Sequence, residues 1–155
     1  MAVTLRQAET ADLTAAAGLI KDQPLFTSYG STPAGLEQSL SAAHERGDQL
    51  HVAELEGSVI GLIWFQLQGA FGRSGYVRLL VISAEAQGHG VGARLLAHAE
   101  QTVFAEVADM FLLVNSDNTG ARRFYQRHGY SSVGNIPDYF APGLDEVIMH
   151  KKREF

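Results

Sequence analysis

The chain has 155 residues, 46% of them hydrophobic and 19% charged, the proportions of one soluble globular domain rather than of a disordered or low-complexity chain. Cysteine is absent, which excludes disulfide scaffolds, thiolate zinc sites and an acyl-cysteine intermediate. A formal charge of −5 gives no basic field for nucleic acid, and no apolar run approaches the ~18 residues of a membrane span.

Met1 to Arg6 begins as a strand, not as a basic segment followed by an apolar stretch, so no signal peptide is expected and a cytoplasmic location fits. The alternation of Val3–Ala8 predicts the first strand. Thr10 or Asp12 can cap a helix running to about Lys21. Pro24, Gly30, Pro33 and Gly35 mark a loop, and Leu36, Leu40 and Ala43 a second helix closed by Gly47. Leu50–Leu55, Val59–Leu67 and Tyr76–Ile82 read as strands joined by turns at Glu56-Gly57 and Gly69–Gly75, an antiparallel meander whose middle strand is apolar on both faces. Beyond a small-residue loop from Ser83 to Gly92, Val91, Leu95, Ala99, Val103 and Val107 recur every four residues, one face of a helix. Met110–Asn115 is an apolar strand, so strand, helix and strand form a βαβ unit. Asn118 opens a helix that Gly129 ends, and Tyr130–Val133 and Asp145–Lys152 are the last strands. The expected class is one α/β domain over residues 1–155, a mixed, largely antiparallel sheet of about seven strands flanked by helices in three α-β-α layers.

The functional signal lies in Gln87-Gly88-His89-Gly90-Val91-Gly92, where a strand gives way to a helix. A helix start leaves backbone N–H groups without partners and its dipole favours an anion. Glycines let a phosphate approach the backbone closely, so a phosphate or pyrophosphate is the expected ligand. Gly92 is followed by Ala93-Arg94 rather than Lys-Ser/Thr, which excludes a P-loop. Gly88-x-Gly90-x-x-Ala93 formally matches a dinucleotide fingerprint, but antiparallel strands precede it and the next strand ends in Val114-Asn115 without an acidic residue.

The same residues resemble the GCN5-related N-acetyltransferase (GNAT) family, whose Q/R-x-x-G-x-G/A signature Gln87, Gly90 and Gly92 match in full. Ile82 and Ala84 stand where the family often has Val and Pro. A second family pattern, N-x-x-A-x-x-x-Y-x-x-x-G-F/Y, is matched by Asn118, Ala121, Tyr125, Gly129 and Tyr130. The resemblance implies the GNAT fold and acetyl-CoA as cosubstrate, while the spacing of the histidines predicts no metal. It implies that the amides of Gly88, His89, Gly90, Val91, Gly92 and Ala93 hold the pyrophosphate, and that the backbone of Leu80, Val81 and Ile82 pairs with pantetheine. One of these amides, near Val81, would polarise the thioester carbonyl. Asn118 and Ala121 would lie along the cofactor, and Tyr125 would protonate the leaving sulfur.

The acceptor would be a primary amine of a small molecule or peptide, and the resemblance allows a homodimer. Many relatives carry a general-base Glu on the strand before or after the loop, but those strands offer Tyr76, Arg78, Leu113 and Asn115 and no carboxylate. Arg78 is read either as an anchor for an acceptor anion or as a solvated strand residue. Asp138 and Tyr139, in a Pro137–Gly143 segment like the N-Y-Y or D-Y-Y loop of family members, are acceptor contacts, parts of a water relay or a turn, and Tyr29 belongs to a loop expected to wall the acceptor site. The six histidines show no H-x-x-x-H zinc spacing. An acyl-CoA-binding sensor or accessory subunit on the same fold is the alternative reading, and a nucleotide-binding oxidoreductase the third.

Overall fold

The structure is a computed structural model that describes residues 2–23 and 32–154. Its elements run β1 (Thr4–Gln7), α1 (Leu13–Lys21), α2 (Pro33–Arg46), β2 (Gln49–Leu55), β3 (Ser58–Ala70), β4 (Ser74–Ile82), α3 (Val91–Phe104), β5 (Asp109–Asn115), α4 (Thr119–Arg127), β6 (Ser131–Ile136) and β7 (Glu146–Lys152), with 3₁₀ turns at Thr10–Asp12 and Ala84–Ala86. The seven strands form one open sheet in the order β1-β2-β3-β4-β5-β7-β6. Pairing is antiparallel in β1–β2, β2–β3, β5–β7 and β6–β7, and parallel in β4–β5. The fold class read from the sequence is therefore met, and the chain divides into two compact units.

The first unit comprises residues 1–65 and 79–99. Its core joins Leu13, Ala16, Ala17 and Ile20 of α1 and Leu40 and Ala43 of α2 to Leu50, Val52, Leu62, Trp64 and Val81 of the strands. Small residues on α1 let the helix lie close, and each buried aliphatic side chain contributes roughly 1.5–3 kcal/mol of transfer free energy. The buried run Gly61–Phe65 confirms that β3 is covered on both faces. A side chain at Gly61 would meet Ile82 Cδ1 and Leu95 Cδ1, both at 3.0 Å, so this glycine permits the close approach of β3 to β4 and α3. Arg6 ties β1 to its surroundings, donating to both Asp12 carboxylate oxygens at 2.7 and 3.0 Å and to Glu54 Oε2 at 2.7 Å. The Arg6 guanidinium holds the Asp12 carboxyl below its usual range. Pro33 lies inside α2 rather than in the preceding loop: Thr32 is the cap, its Oγ1 accepting from Gly35 N–H at 3.0 Å, and proline suits the first helical turn because its missing N–H is not needed there.

The second unit comprises residues 66–78 and 100–155. Its buried side chains include Val103, Met110, Leu112, Val114, Tyr125, Tyr130, Val147 and Met149. Here the glycine-rich stretch read as a long turn is mostly strand, and the turn narrows to Phe71–Arg73. Gly69 and Gly75 stay in β3 and β4 because packing demands them: a Cβ at Gly69 would meet Gln66 and Tyr76, and one at Gly75 would meet Val103 and Met110. Val107 lies beyond α3, yet its N–H still bonds the Val103 carbonyl at 2.9 Å, which extends the four-residue spacing past the helix end. β6 continues to Ile136 across a register shift between Ser132 and Gly134, so Gly134 marks a bulge rather than a strand end. Tyr130 precedes that strand, buried, and donates to Glu100 Oε2 at 2.8 Å.

Candidate functional site

In the first unit, β4 runs to Ile82 and the chain turns through Ala84–Ala86 into the glycine loop. Val81 is buried and Leu80 and Ile82 are half-buried. The Ser83 hydroxyl is sequestered from solvent with no hydrogen-bond partner among the described residues. Sequence reasoning gave this residue no role, and its signal was only its place directly after the strand. Gly88 and Gly90 have φ values of +82° and +77°, a region that side chains rarely adopt, while the space where a Cβ would project is open to beyond 4 Å. These glycines therefore serve backbone conformation and access, not packing. Gly92 differs, being already inside the first turn of α3. The first bond of that helix runs from Arg94 N–H to the Gly90 carbonyl at 3.1 Å, leaving the amides of Val91, Gly92 and Ala93 without intrahelical partners. Gln87, Gly88, His89 and Gly90 are all exposed.

In the second unit, β5 ends at Asn115, whose Oδ1 accepts from Asp117 N–H at 2.9 Å. Ser116 N–H bonds the Asp145 carbonyl and Asn118 N–H the Asn115 carbonyl, at 2.9 and 3.0 Å, so the turn into α4 is pinned on both sides. Asn118 caps α4, its Oδ1 accepting from Ala121 N–H at 3.1 Å. Two turns on, Tyr125 is buried between Phe124 and Tyr130, with ring centroids at 5.2 and 5.6 Å. Its hydroxyl makes no hydrogen bond among the described residues. Burial pushes the phenol well above its ordinary value, so it is protonated at neutral pH.

Arg78 is exposed on β4 and hydrogen-bonds Tyr76, whose phenol is raised chiefly by burial and pulled back by Arg78. Tyr139 is 52% exposed and stacks edge-on against Phe140. Asp138 holds the left-handed backbone of this loop: its N–H donates to Asp145 Oδ1 at 2.9 Å and its Oδ1 accepts from Gly143 N–H at 2.7 Å. These bonds give the carboxylate a turn-forming role. Tyr29 lies outside the described residues.

A family model for acetyltransferases, GNAT, matches residues 16–130. The chain belongs to the acetyltransferase (GNAT) family. As a GNAT protein it is 34% identical to an uncharacterised N-acetyltransferase of Methanocaldococcus jannaschii over 105 residues, covering 66% of this chain and 65% of that one. It is also 34% identical to the blasticidin-S acetyltransferase of Streptomyces morookaense over 111 residues, covering 72% and 71%. The match thus spans about two thirds of these relatives. The fold is that of Ard1 from Thermoplasma volcanium, with a TM-score of 0.85 at 20% identity over the whole of both chains. GNAT proteins generally use acetyl-CoA, and the open glycine loop, the free amides of α3 and the orphaned Ser83 hydroxyl fit a phosphorylated, hydrogen-bonding cosubstrate.

A second residue of this GNAT protein, besides Ser83, escaped the sequence reading. Glu146 opens β7 and is 2% exposed, and its register partners are Asn115 at the end of β5 and Ile136 at the end of β6. Strand order alone placed no carboxylate near Asn115, because β7 is inserted between β5 and β6 and the register was not readable. No group of three or more His, Cys, Asp or Glu suited to a metal occurs among the described residues. Among them, too, no helix is long and apolar enough to cross a membrane.

Proposed function

We propose that this protein is an acetyl-CoA-dependent N-acetyltransferase that acetylates a primary amine by direct attack in a ternary complex. The observation that carries the reading is the left-handed pair Gly88 and Gly90 feeding the uncapped start of α3, inside the region matched by the family model. Acetyl-CoA, when bound, supplies the thioester whose acetyl group is transferred. The amides from Gly88 to Ala93 hold the pyrophosphate, with Gln87 flanking them, and the backbone of Leu80, Val81 and Ile82 pairs with pantetheine. The amide near Val81 donates to the thioester oxygen as negative charge grows there, a contribution worth about 2.7–4 kcal/mol where one such donor has been removed.

Tyr125 donates its proton to the departing sulfur. A phenol raised by burial is a poor acid in isolation, so this donation proceeds as the C–S bond opens and the sulfur gains charge, not before. Asn118 directs its free side-chain NH₂ to the pantetheine chain, beside Ala121. Arg78, Tyr139, Asp138 and Tyr29 belong to the acceptor side. The relatives carry names as different as blasticidin-S acetyltransferase and N-alpha-acetyltransferase, which supports a primary amine as the class and leaves its carrier to experiment.

The test is thiol release from acetyl-CoA across a panel of small-molecule and peptide amines, with mass spectrometry of the product. An acetylated amine supports the reading. Tight acetyl-CoA binding without turnover over the whole panel would instead make the protein an acyl-CoA sensor or accessory subunit.

A further inference from the structure

We propose that Glu146 is the terminal proton acceptor for the incoming ammonium, acting through one water, so that the acceptor is an alkylamine that arrives protonated. The inference rests on the acetyl-transfer reading and adds to it the base that the strands flanking the glycine loop do not provide. Three observations carry it. Glu146 is a carboxylate at 2% exposure, at a junction where β5, β6 and β7 all end or begin. A carboxylate in that position costs several kcal/mol of desolvation, and a well-packed apolar residue would serve folding as well, so its burial is weak evidence for a stabilising role. The Asn115 side-chain amide approaches Glu146 Oε2 at 3.5 Å, and the Asn115 Oδ1 holds the turn that leads to Asn118 and α4. The carboxylate is thereby tied to the element that bears Tyr125.

Of the titratable groups around it, Tyr76 on β4 senses the Glu146 charge, and Asp145 is its neighbour in the chain. Tyr76 responds electrostatically to Arg78, Tyr139 and Glu146 together, so these four form one neighbourhood. Since Glu146 is almost wholly covered, it does not meet the acceptor itself, and a water carries the proton. An N–H bond of the ammonium breaks and its electron pair stays on nitrogen. The proton passes to the water, which gives one of its own to the carboxylate. The nitrogen then bonds to the acetyl carbon and the C–S pair leaves with sulfur, which takes the Tyr125 proton. A second N–H proton from the attacking nitrogen restores the phenol, and Glu146 returns its proton to solvent.

Glu146 is therefore a positioning and proton-accepting residue whose signature is a pH profile. The experiment measures kcat/KM against pH for wild type, Glu146→Gln and Glu146→Asp, using the amine identified by the thiol-release panel. Acetyl-CoA affinity and thermal unfolding are measured on the same samples. Wild type and Glu146→Asp are expected to share one profile shape. Glu146→Gln is expected to fall at least 100-fold at neutral pH and to regain activity about tenfold per pH unit toward the amine's own pKa, with acetyl-CoA affinity within threefold of wild type. A uniform loss at every pH in Glu146→Gln, or a wild-type profile in that variant, overturns the proposal. If Glu146→Gln does not fold, a Glu146→Asp protein that folds and yet shows the free-amine slope overturns it as well. Wild-type protein that binds acetyl-CoA and transfers to no amine refutes the parent reading instead, and the proton role falls with it.

Discussion

Replacing Gly90 with alanine separates the cost of a backbone conformation from the cost of blocking a ligand. At φ +77° an L-residue is strained by about 1–2 kcal/mol, while the added Cβ meets nothing within 4 Å. Stability should therefore drop by that strain alone, about 2–8 °C in melting temperature for a chain of this size. Gly47 provides the control: it ends α2 at φ +89°, also with nothing within 4 Å of its Cβ position, so Gly47→Ala should lose as much stability. The two variants should part in calorimetric titration with acetyl-CoA. Gly90→Ala projects a methyl into the space the pyrophosphate is proposed to use, and its Kd should rise at least tenfold, about 1.4 kcal/mol. Gly47→Ala should bind like wild type. Equal melting losses together with unchanged Kd in Gly90→Ala would show that the loop turns the chain and does not receive a phosphate.

Tyr125→Phe should lower kcat by about 100-fold or more with acetyl-CoA affinity and melting temperature near wild type, because the hydroxyl has no protein partner among the described residues to lose; full activity in a thiol-release assay would remove Tyr125 from the mechanism. Asn118→Asp keeps an oxygen for the Ala121 N–H and loses the NH₂ donor, so stability should hold within about 0.5 kcal/mol while acetyl-CoA affinity falls in calorimetry. An unchanged affinity there would leave Asn118 as a cap alone. His51 stacks on Phe65 and contacts His98, and burial, then the His98 charge, lowers it to about 4 from 6.5. Between those values the unfolded chain binds more protons, so stability is fully present above pH 6.5 and is lost as pH falls toward 4. The slope is up to ~1.4 kcal/mol per pH unit, scaled down by roughly half for a half-exposed ring. Denaturant titrations of His51→Phe should show a flatter slope over that window, and an identical one would place the titration elsewhere.

The α3 face was legible because Val91, Leu95, Ala99 and Val103 obey a single local period and all four are buried. The Glu56-Gly57 turn was legible too, since both residues take positive φ, at 51° and 82°. Gly69, Gly75 and Gly134 misled for one shared reason. A glycine required by a packed neighbour on a strand or helix looks the same in sequence as a glycine required by a turn, and only the packed partners (Tyr76, Val103 and Ile148) tell them apart. In the site, the spacing of Gln87, Gly90 and Gly92 was enough to mark the loop, and Asn118 and Tyr125 share a helix and so keep a fixed relation in sequence. Glu146 belongs to neither pattern. Its place opposite Asn115 depends on a strand register set by side-chain alternation over all of β5 and β7, from Asp109↔Lys152 to Asn115↔Glu146, which no short motif encodes.

The helix starts differ in how their first amides are met. At α2 the Thr32 hydroxyl takes the N–H of Gly35, and at α4 the Asn118 side chain takes that of Ala121. Both helices close their first turn with a side-chain oxygen, the ordinary solution for donors that would otherwise go unsatisfied. At α3 the residue in that position is Gly90, which has no side chain to offer and which holds a backbone angle that other residues avoid. A serine or asparagine there would satisfy an amide and would also occupy the open space in front of it. α1 likewise starts without a side-chain cap bond from Asp12, and glycine in the cap position of α3 costs only a few tenths of a kcal/mol against serine or asparagine. What sets α3 apart is therefore the open space before its first amides, which suits the pyrophosphate proposed for this loop.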